Sequence, residues 1–303
     1  MDERAIAGLV SSGTEPVTLE ELPGETRNGI WRRTLRSRRG WIGVTLLVLV
    51  SSVAAIGPFV MPHDPAEVVG LSYLPPNGSH LLGTDQLGRD VLSRVLDGGW
   101  LLLISALVAT LIAYAVGGSI GMLAGYRRAR ALDVTASSVA DIFIAVPPII
   151  MALGLLTTLG TGVVVTTAAI ALVQAPRIMR LVRTFTISIR SNEYVEAAVA
   201  RGESTASILL REIAPNLRSL VLADFGIRLC WSFIMYASLS FLGLGQPPPA
   251  ADWGLMISEN RVGLTLQPWS VLAPILCISV LTVGVNMAAE AVSDSIGRSG
   301  GEA

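Results

Sequence analysis

The chain is predicted to be an all-α polytopic membrane protein with six transmembrane helices, and three observations lead there. Of its 303 residues, 51% are hydrophobic and only 15% charged, with a mean hydropathy of +0.61, outside the range of a soluble domain of this length. The apolar residues gather into long stretches, and a helix rising about 1.5 Å per residue needs roughly 20 of them to cross a hydrocarbon core about 30 Å thick. The period-two alternation of a transmembrane barrel is missing from all of them.

The six stretches fall near Trp41–Met61, Trp100–Tyr126, Val134–Leu159, Val163–Val182, Leu217–Leu244 and Ser270–Val292. Pro147-Pro148 should kink the third, because a proline lacks the amide and its ring clashes with the preceding turn. Pro176, Arg177 and Arg180 crowd the second half of the fourth. In the second, Gly117-Gly118-Ser119-Ile120-Gly121 matches G-x-S-x-G formally, but a nucleophile elbow needs a strand-to-helix turn and a histidine partner. Gly117, Gly121 and Gly125 instead form a small-residue stripe on which a second helix can pack closely. Cys230 and Cys277 lie inside spans and are expected to be packing residues rather than a disulfide or metal pair.

Arginine sets the orientation, since all 22 basic residues are Arg and lysine is absent. Arg27, Arg32, Arg33, Arg36, Arg38 and Arg39 precede the first span, whereas only Arg89 and Arg94 follow it before the second. Arg127, Arg128 and Arg130, and then Arg183, Arg190, Arg201 and Arg211, return on the same side, which places both termini in the cytoplasm. A cleaved signal peptide, with Val53-Ala54-Ala55 as its site, competes for the first span. The polar segment before it is longer than an n-region, so an uncleaved anchor fits better. The expected organisation is a cytoplasmic tail 1–40, a first helix 41–61, an external loop 62–99, a core 100–293 and a short cytoplasmic tail 294–303.

The loop contains both histidines, His63 and His80. With Asp64 and Asp85 they could suggest a metal site, yet the spacing follows no recognised ligand pattern, and no metal is assigned. Asp90, Arg94 and Asp97, about one turn apart, predict a short interfacial helix before the second span. Within the spans, Asp224 and Arg228 stand at i and i+4 and can neutralise each other. Asp141, close before Pro147-Pro148, has two readings, a buried hydrogen-bonded carboxylate or a group lining a translocation path with Pro147 and Pro148.

One polar stretch interrupts the apolar pattern, "YVEAAVARGESTASILLREIAPN" from Tyr194. Ser191 or Asn192 can cap a helix whose first turn carries Glu193 and Glu196, and Gly202 can end it. Ser204 can start a second short helix through Arg211, stopped by Pro215, with Ile208, Leu209 and Leu210 as apolar anchors. A mere connector needs no two capped helices, so segment 190–216 is expected to dock onto something in the cytoplasm.

Glu196-Ala197-Ala198, then Gly202, then Ile213-Ala214-Pro215, resembles the EAA loop of ABC-importer permeases. "HLLGTDQLGRDVLSR" from His80 and "SLSFLGLGQPPPAADWGLMISE" from Ser238 resemble C-type permease subunits of dipeptide, oligopeptide and nickel importers, so the likeness runs from about residue 30 to 295. It implies a type I ABC importer permease fold in the bacterial inner membrane, with Glu196, Ala197, Ala198, Gly202, Ile208, Leu209 and Pro215 in contact with an ATPase. It also implies a second homologous permease, two ATP-binding subunits and an external solute-binding protein, with no cofactor and no nucleic acid. Arg201, Glu203 and Glu212 depart from the family's usual residues there. A P-loop needs its lysine to reach the nucleotide phosphates, and this chain has none, so hydrolysis is expected in another polypeptide. Peptides are the expected solute, with nickel or another small solute as the alternative. An ion-coupled secondary transporter would be expected to show an internal repeat, and none is evident.

Overall fold

A computed structural model describes residues 37–127 and 130–299. The expected tail 1–40 lies almost wholly outside the described residues, with Arg27, Arg32, Arg33 and Arg36, as do Arg128 and the last four residues. The described chain is helical, with two isolated β-bridges, Val68 to Arg89 and Thr84 to Asp90, as its only extended pairings.

Helix α1 (Arg38–Val60) is capped by the Ser37 hydroxyl, which accepts from the Gly40 amide at 3.0 Å. Helix α2 is one 36-residue rod, Val91–Tyr126, with a π turn at Tyr114–Gly118. A short α3 (Arg130–Ala145) meets α4 (Pro148–Leu159), then come α5 (Val163–Arg190), α6 (Glu193–Ala200) and the 37-residue α7 (Thr205–Phe241). Helix α8 (Trp253–Asn260) precedes the last helix, α9 (Trp269–Ser299). Five of these, α1, α2, α5, α7 and α9, are long and apolar enough to cross a membrane, and the pair α3–α4 makes a sixth crossing if taken together.

Close helix approach depends on glycine. A Cβ on Gly121 would lie 2.5 Å from the Met179 carbonyl oxygen, and one on Gly125 2.7 Å from that of Arg183. Gly117 faces Ala175 in the same way, so the predicted stripe lays α2 directly on the α5 backbone. Gly43 of α1 and Gly284 of α9 do the same for the first and last helices, each too close to the other helix's backbone for a side chain.

Three expectations need correction, at the interfacial helix, at Pro215 and at residue 293. The separate interfacial helix does not form: Asp90 caps α2, accepting from the Ser93 amide at 2.9 Å, and the helix runs on without a break. Arg94 is therefore not on a wet face but fully buried. The expected kink at Pro147-Pro148 is present, as a 92° break between α3 and α4. Pro147 is held extended by the proline after it, and Pro148 opens a new helix at a position that needs no amide. Helix α5 continues through Pro176 to Arg190, because a buried face including Ile170, Val173, Ile178 and Val182 outweighs one lost hydrogen bond. Pro215 does not stop a second short helix. The turns Ile208–Ile213 are π, and Pro215 falls in the first turn of the α-helical stretch after them, where its missing amide is no loss. The last helix likewise passes the expected boundary at residue 293 and runs to Ser299.

Cys230 and Cys277 are both free thiols, and Cys230 donates weakly to the Thr282 carbonyl at 3.4 Å.

Candidate functional site

At one end of the bundle α6 packs on the end of α5 and on the π turns that open α7, with the end of α2 facing it across a cavity. Asn192 is its N-cap residue by backbone geometry, but the side chain makes no capping bond, so Glu193 and Glu196 supply the favourable charge at that terminus. At the other end of α6 the Gly202 amide donates to Val199 at 3.0 Å and the Glu203 amide to Ala198 at 3.2 Å, with Gly202 at φ +75°. This pair of bonds is the Schellman arrangement, and it needs a residue in the left-handed region. Ser204 then caps α7, accepting from Ser207 at 3.2 Å. Arg201 and Glu203 pair with each other at 2.6 Å, and the hydrogen bonds from Arg201 and Ser207 hold the Glu203 carboxyl below the usual range.

Docking residues named from the sequence divide into two groups. Val195 and Ala198 of α6 are buried, as are Ile208 and Ile213 of the π segment, and these form the seam by which the helix is held to the body. Ala198 and Ile208 are thus internal, and Leu209 is half-buried. Glu196, Ala197, Gly202 and Pro215 are exposed, and so are three apolar residues that face outward, Tyr194, Val199 and Leu210. Of the three expected anchors only Leu210 points away from the chain. Beneath α6, a cavity of about 410 Å³ is lined by Tyr126, Arg127, Arg190, Val195, Glu196 and Val199. Arg190 closes one wall by donating to the Tyr126 carbonyl at 3.1 Å.

Among the spans, Asp141 is exposed and paired with Arg180 of α5, just before the break at Pro147 and Pro148. Deeper in, Asp224 and Arg228 pair at 2.9 Å as expected, and Tyr114, on the π turn of α2, donates to the same Asp224 oxygen at 2.6 Å. Arg177 stacks over Trp231 at 5.9 Å. Thr110 and Ser232 are 2.8 Å apart, and Gln174 donates to Ser232 at 2.5 Å. Tyr114, Thr110, Gln174 and Ser232 were not picked out from sequence. One signal was there to be read: Asp224, Arg228, Ser232, Tyr236 and Ser240 recur every four residues along α7.

At the opposite end the two long resemblance motifs, far apart in sequence, meet. Arg89 binds Asp85 through Nε at 2.6 Å and Glu259 through Nη2 at 2.8 Å, while Arg94 reaches Glu259 at 3.1 Å and Asp85 at 3.6 Å. Two buried cations thus share two carboxylates. Trp253, also fully buried, donates to the Val95 carbonyl at 2.8 Å, and Asp252 caps α8 through the Gly254 and Leu255 amides. Burial raises the Asp252 carboxyl above the usual range, against the hydrogen bond from Ser240.

Five to six membrane-crossing helices with a close-packed core make this a multi-pass membrane protein. Residues 117–298 match the family described as "Binding-protein-dependent transport system inner membrane component", and residues 28–76 match the "N-terminal TM domain of oligopeptide transport permease C". The chain belongs to this family of inner-membrane transport components. It is 32% identical over 268 residues to the glutathione transport system permease protein GsiD of Pectobacterium atrosepticum, covering 88% of this chain and 89% of that one. A relative from Brucella suis biovar 1, provisionally named a peptide transport system permease protein, is 32% identical over 265 residues, covering 87% and 88%. Among solved structures, the MetNI methionine ABC transporter in an inward-facing form shares the fold, with a TM-score of 0.52, 19% identity, and coverage of 67% of this chain and 96% of that one.

Proposed function

We propose that this permease subunit imports peptides in an ATP-driven complex, and that α6 with the first turns of α7 is where a separate ATPase subunit docks. The observation that carries the reading is the arrangement of α6. It keeps one apolar seam for the body of the chain and presents Tyr194, Ala197, Val199 and Leu210 outward beside the exposed carboxylate of Glu196. A helix with a second apolar face and a conformationally specified C-cap suits a groove in another protein. Arginine distribution puts this end in the cytoplasm, where ATP is available.

Peptide is favoured as solute because glutathione, the substrate in one relative's name, is a tripeptide, and another relative's name refers to peptides. A second permease would complete the path, two ATP-binding subunits would drive it, and an external binding protein would deliver the solute. Asp141, Pro147 and Pro148 belong to that path in this reading. ATP-driven closure of the partners displaces α6, and α7 carries the movement into the bundle.

The test is uptake of labelled di- and tripeptides into proteoliposomes holding the complete complex. Uptake should require internal ATP and the ATPase subunit. Uptake driven by a proton gradient with this chain alone would refute the proposal, and uptake of nickel but no peptide would refute its substrate.

A further inference from the structure

We infer that His63, His80 and Asp90 form a binding site for a late first-row divalent cation, Zn²⁺ by preference, in the loop between α1 and α2. One ligating atom from each of the three residues lies within 4.8 Å of the others. His80 Nδ1 is 3.1 Å from Asp90 Oδ1, His63 Nδ1 is 3.9 Å from Asp90 Oδ2, and the two imidazole rings stand 5.2 Å apart. Metal–ligand bonds of about 2.0–2.1 Å put neighbouring tetrahedral ligands about 3.3–3.4 Å apart, so a modest swing of His63 completes three corners. His63 is the ring free to make it, with a side chain 30% exposed.

Hydrogen bonding divides Asp90 in a way that suits this role. Its Oδ2 is engaged by the Ser93 amide at 2.9 Å and the Ser93 hydroxyl at 2.7 Å, so monodentate binding through Oδ1 leaves the α2 cap intact. His63 Nδ1 is buried and has no hydrogen-bond partner, which is costly for a polar atom and is relieved by a cation. The backbone already holds the ligands near one another. The His63 amide donates to Ser93 at 3.1 Å, and Asn77 accepts from the Ser79 and His80 amides at 2.9 Å. Two imidazoles and one carboxylate are the donor set for zinc, nickel or copper rather than magnesium or calcium. The two acids that sequence spacing suggested are otherwise engaged, Asp64 with the Ala66 amide and Asp85 with Arg89. Sequence spacing did not show the site because its ligands come from three separate turns of an irregular loop.

The cation would pin the segment leaving α1, the turn at Asn77–His80 and the start of α2 to one point. The test uses the full-length chain in detergent, with any transporter subunits that accompany it, purified through a tag without histidine and stripped with chelator. Titration with Co²⁺ should give the d–d absorption of a low-coordinate site saturating at one equivalent per chain, displaced by Zn²⁺, and Zn²⁺ should raise the apparent melting temperature. His63→Ala, at a half-exposed position, and His80→Ala should each weaken binding at least about tenfold, since a lost ligand costs no less than a lost outer-shell partner. Asp64→Asn should bind as the unmodified chain does. Absence of the Co²⁺ band, full binding in His63→Ala, or equal loss in Asp64→Asn would overturn the assignment.

Discussion

Replacing Gly202 with valine tests the coupling proposal at its most sharply defined point. Gly202 sits at φ +75° as the residue after the last turn of α6, and a Cβ there meets nothing within 4 Å. The penalty is therefore conformational: about 1–2 kcal/mol for an L-residue in the left-handed region, at the upper end for a β-branched one. At about 2 kcal/mol the balance between the capped turn and a relaxed one shifts roughly thirty-fold. Relaxation gives up the Gly202–Val199 and Glu203–Ala198 hydrogen bonds. The turn joining α6 to α7 changes its angle, and Tyr194 and Val199 move relative to Leu210. The spans, packed through residues elsewhere, stay folded. The assay is co-purification with the ATPase subunit and solute-stimulated ATP hydrolysis in liposomes. Gly202→Val should insert normally and lose one or both. Gly202→Asn, whose side chain tolerates the left-handed region, should keep most of each. Wild-type coupling in the valine variant would refute the reasoning, and so would equal loss in both variants, since the defect would then not be conformational.

Other outcomes follow from the same geometry. An accessibility tag near Asn77 should be labelled from outside the cell and one near Ser204 only after permeabilisation, and the reverse would overturn the orientation. Gly121→Leu should sharply lower the yield of folded protein, because its Cβ would lie 2.5 Å from the Met179 carbonyl and α2 and α5 could no longer touch; thermal unfolding in detergent reads this. Glu259→Leu removes an acceptor from both Arg89 and Arg94, and leaving buried cations short of a partner costs about 3–5 kcal/mol, so the variant should unfold at markedly lower temperature. Arg201→Ala should have little effect on unfolding, because its pair with Glu203 lies at the exposed turn.

Those parts of the fold that depend on composition and local rules were legible in advance. Spans follow from apolar length, a close helix contact along α2 from glycines four residues apart, and the end of α6 from a glycine after a helical run. Less legible was whatever depended on the neighbour across the gap. Pro215 looks like a helix end because a proline lowers local propensity, and only the π turns before it show why it is not one. Ile208 turns inward, which sequence does not show because direction on a short helix cannot be assigned until the body beneath it is known. Arg89 reads as one arginine of an external loop and Arg94 as part of an interfacial helix, because their common partner, Glu259, lies some 165–170 positions away in the chain.

In the proposed mechanism α7 is displaced, and the polar ladder along it would give that helix a definite resting place. Asp224, Arg228, Ser232, Tyr236 and Ser240 follow at intervals of four, and an α-helix turns once in about 3.6 residues, so the ladder winds slowly around the rod. Its rungs meet different neighbours in order. Asp224 meets Tyr114 of α2, Ser232 meets Thr110 of α2 and Gln174 of α5, and Ser240 meets Asp252 before α8. Sliding contacts between apolar faces tolerate rotation, but polar groups away from water do not, since each lost bond leaves a donor or acceptor unsatisfied. Rotation of α7 therefore costs several hydrogen bonds together and resists small disturbance. A 37-residue rod is about 55 Å long, well beyond the hydrocarbon core, so part of it projects, and in this reading that part is the end beside α6. In the proposed mechanism a force on α6 acts at that projecting end. The ladder then behaves as a latch, holding one register until the drive on α6 exceeds the combined strength of its rungs.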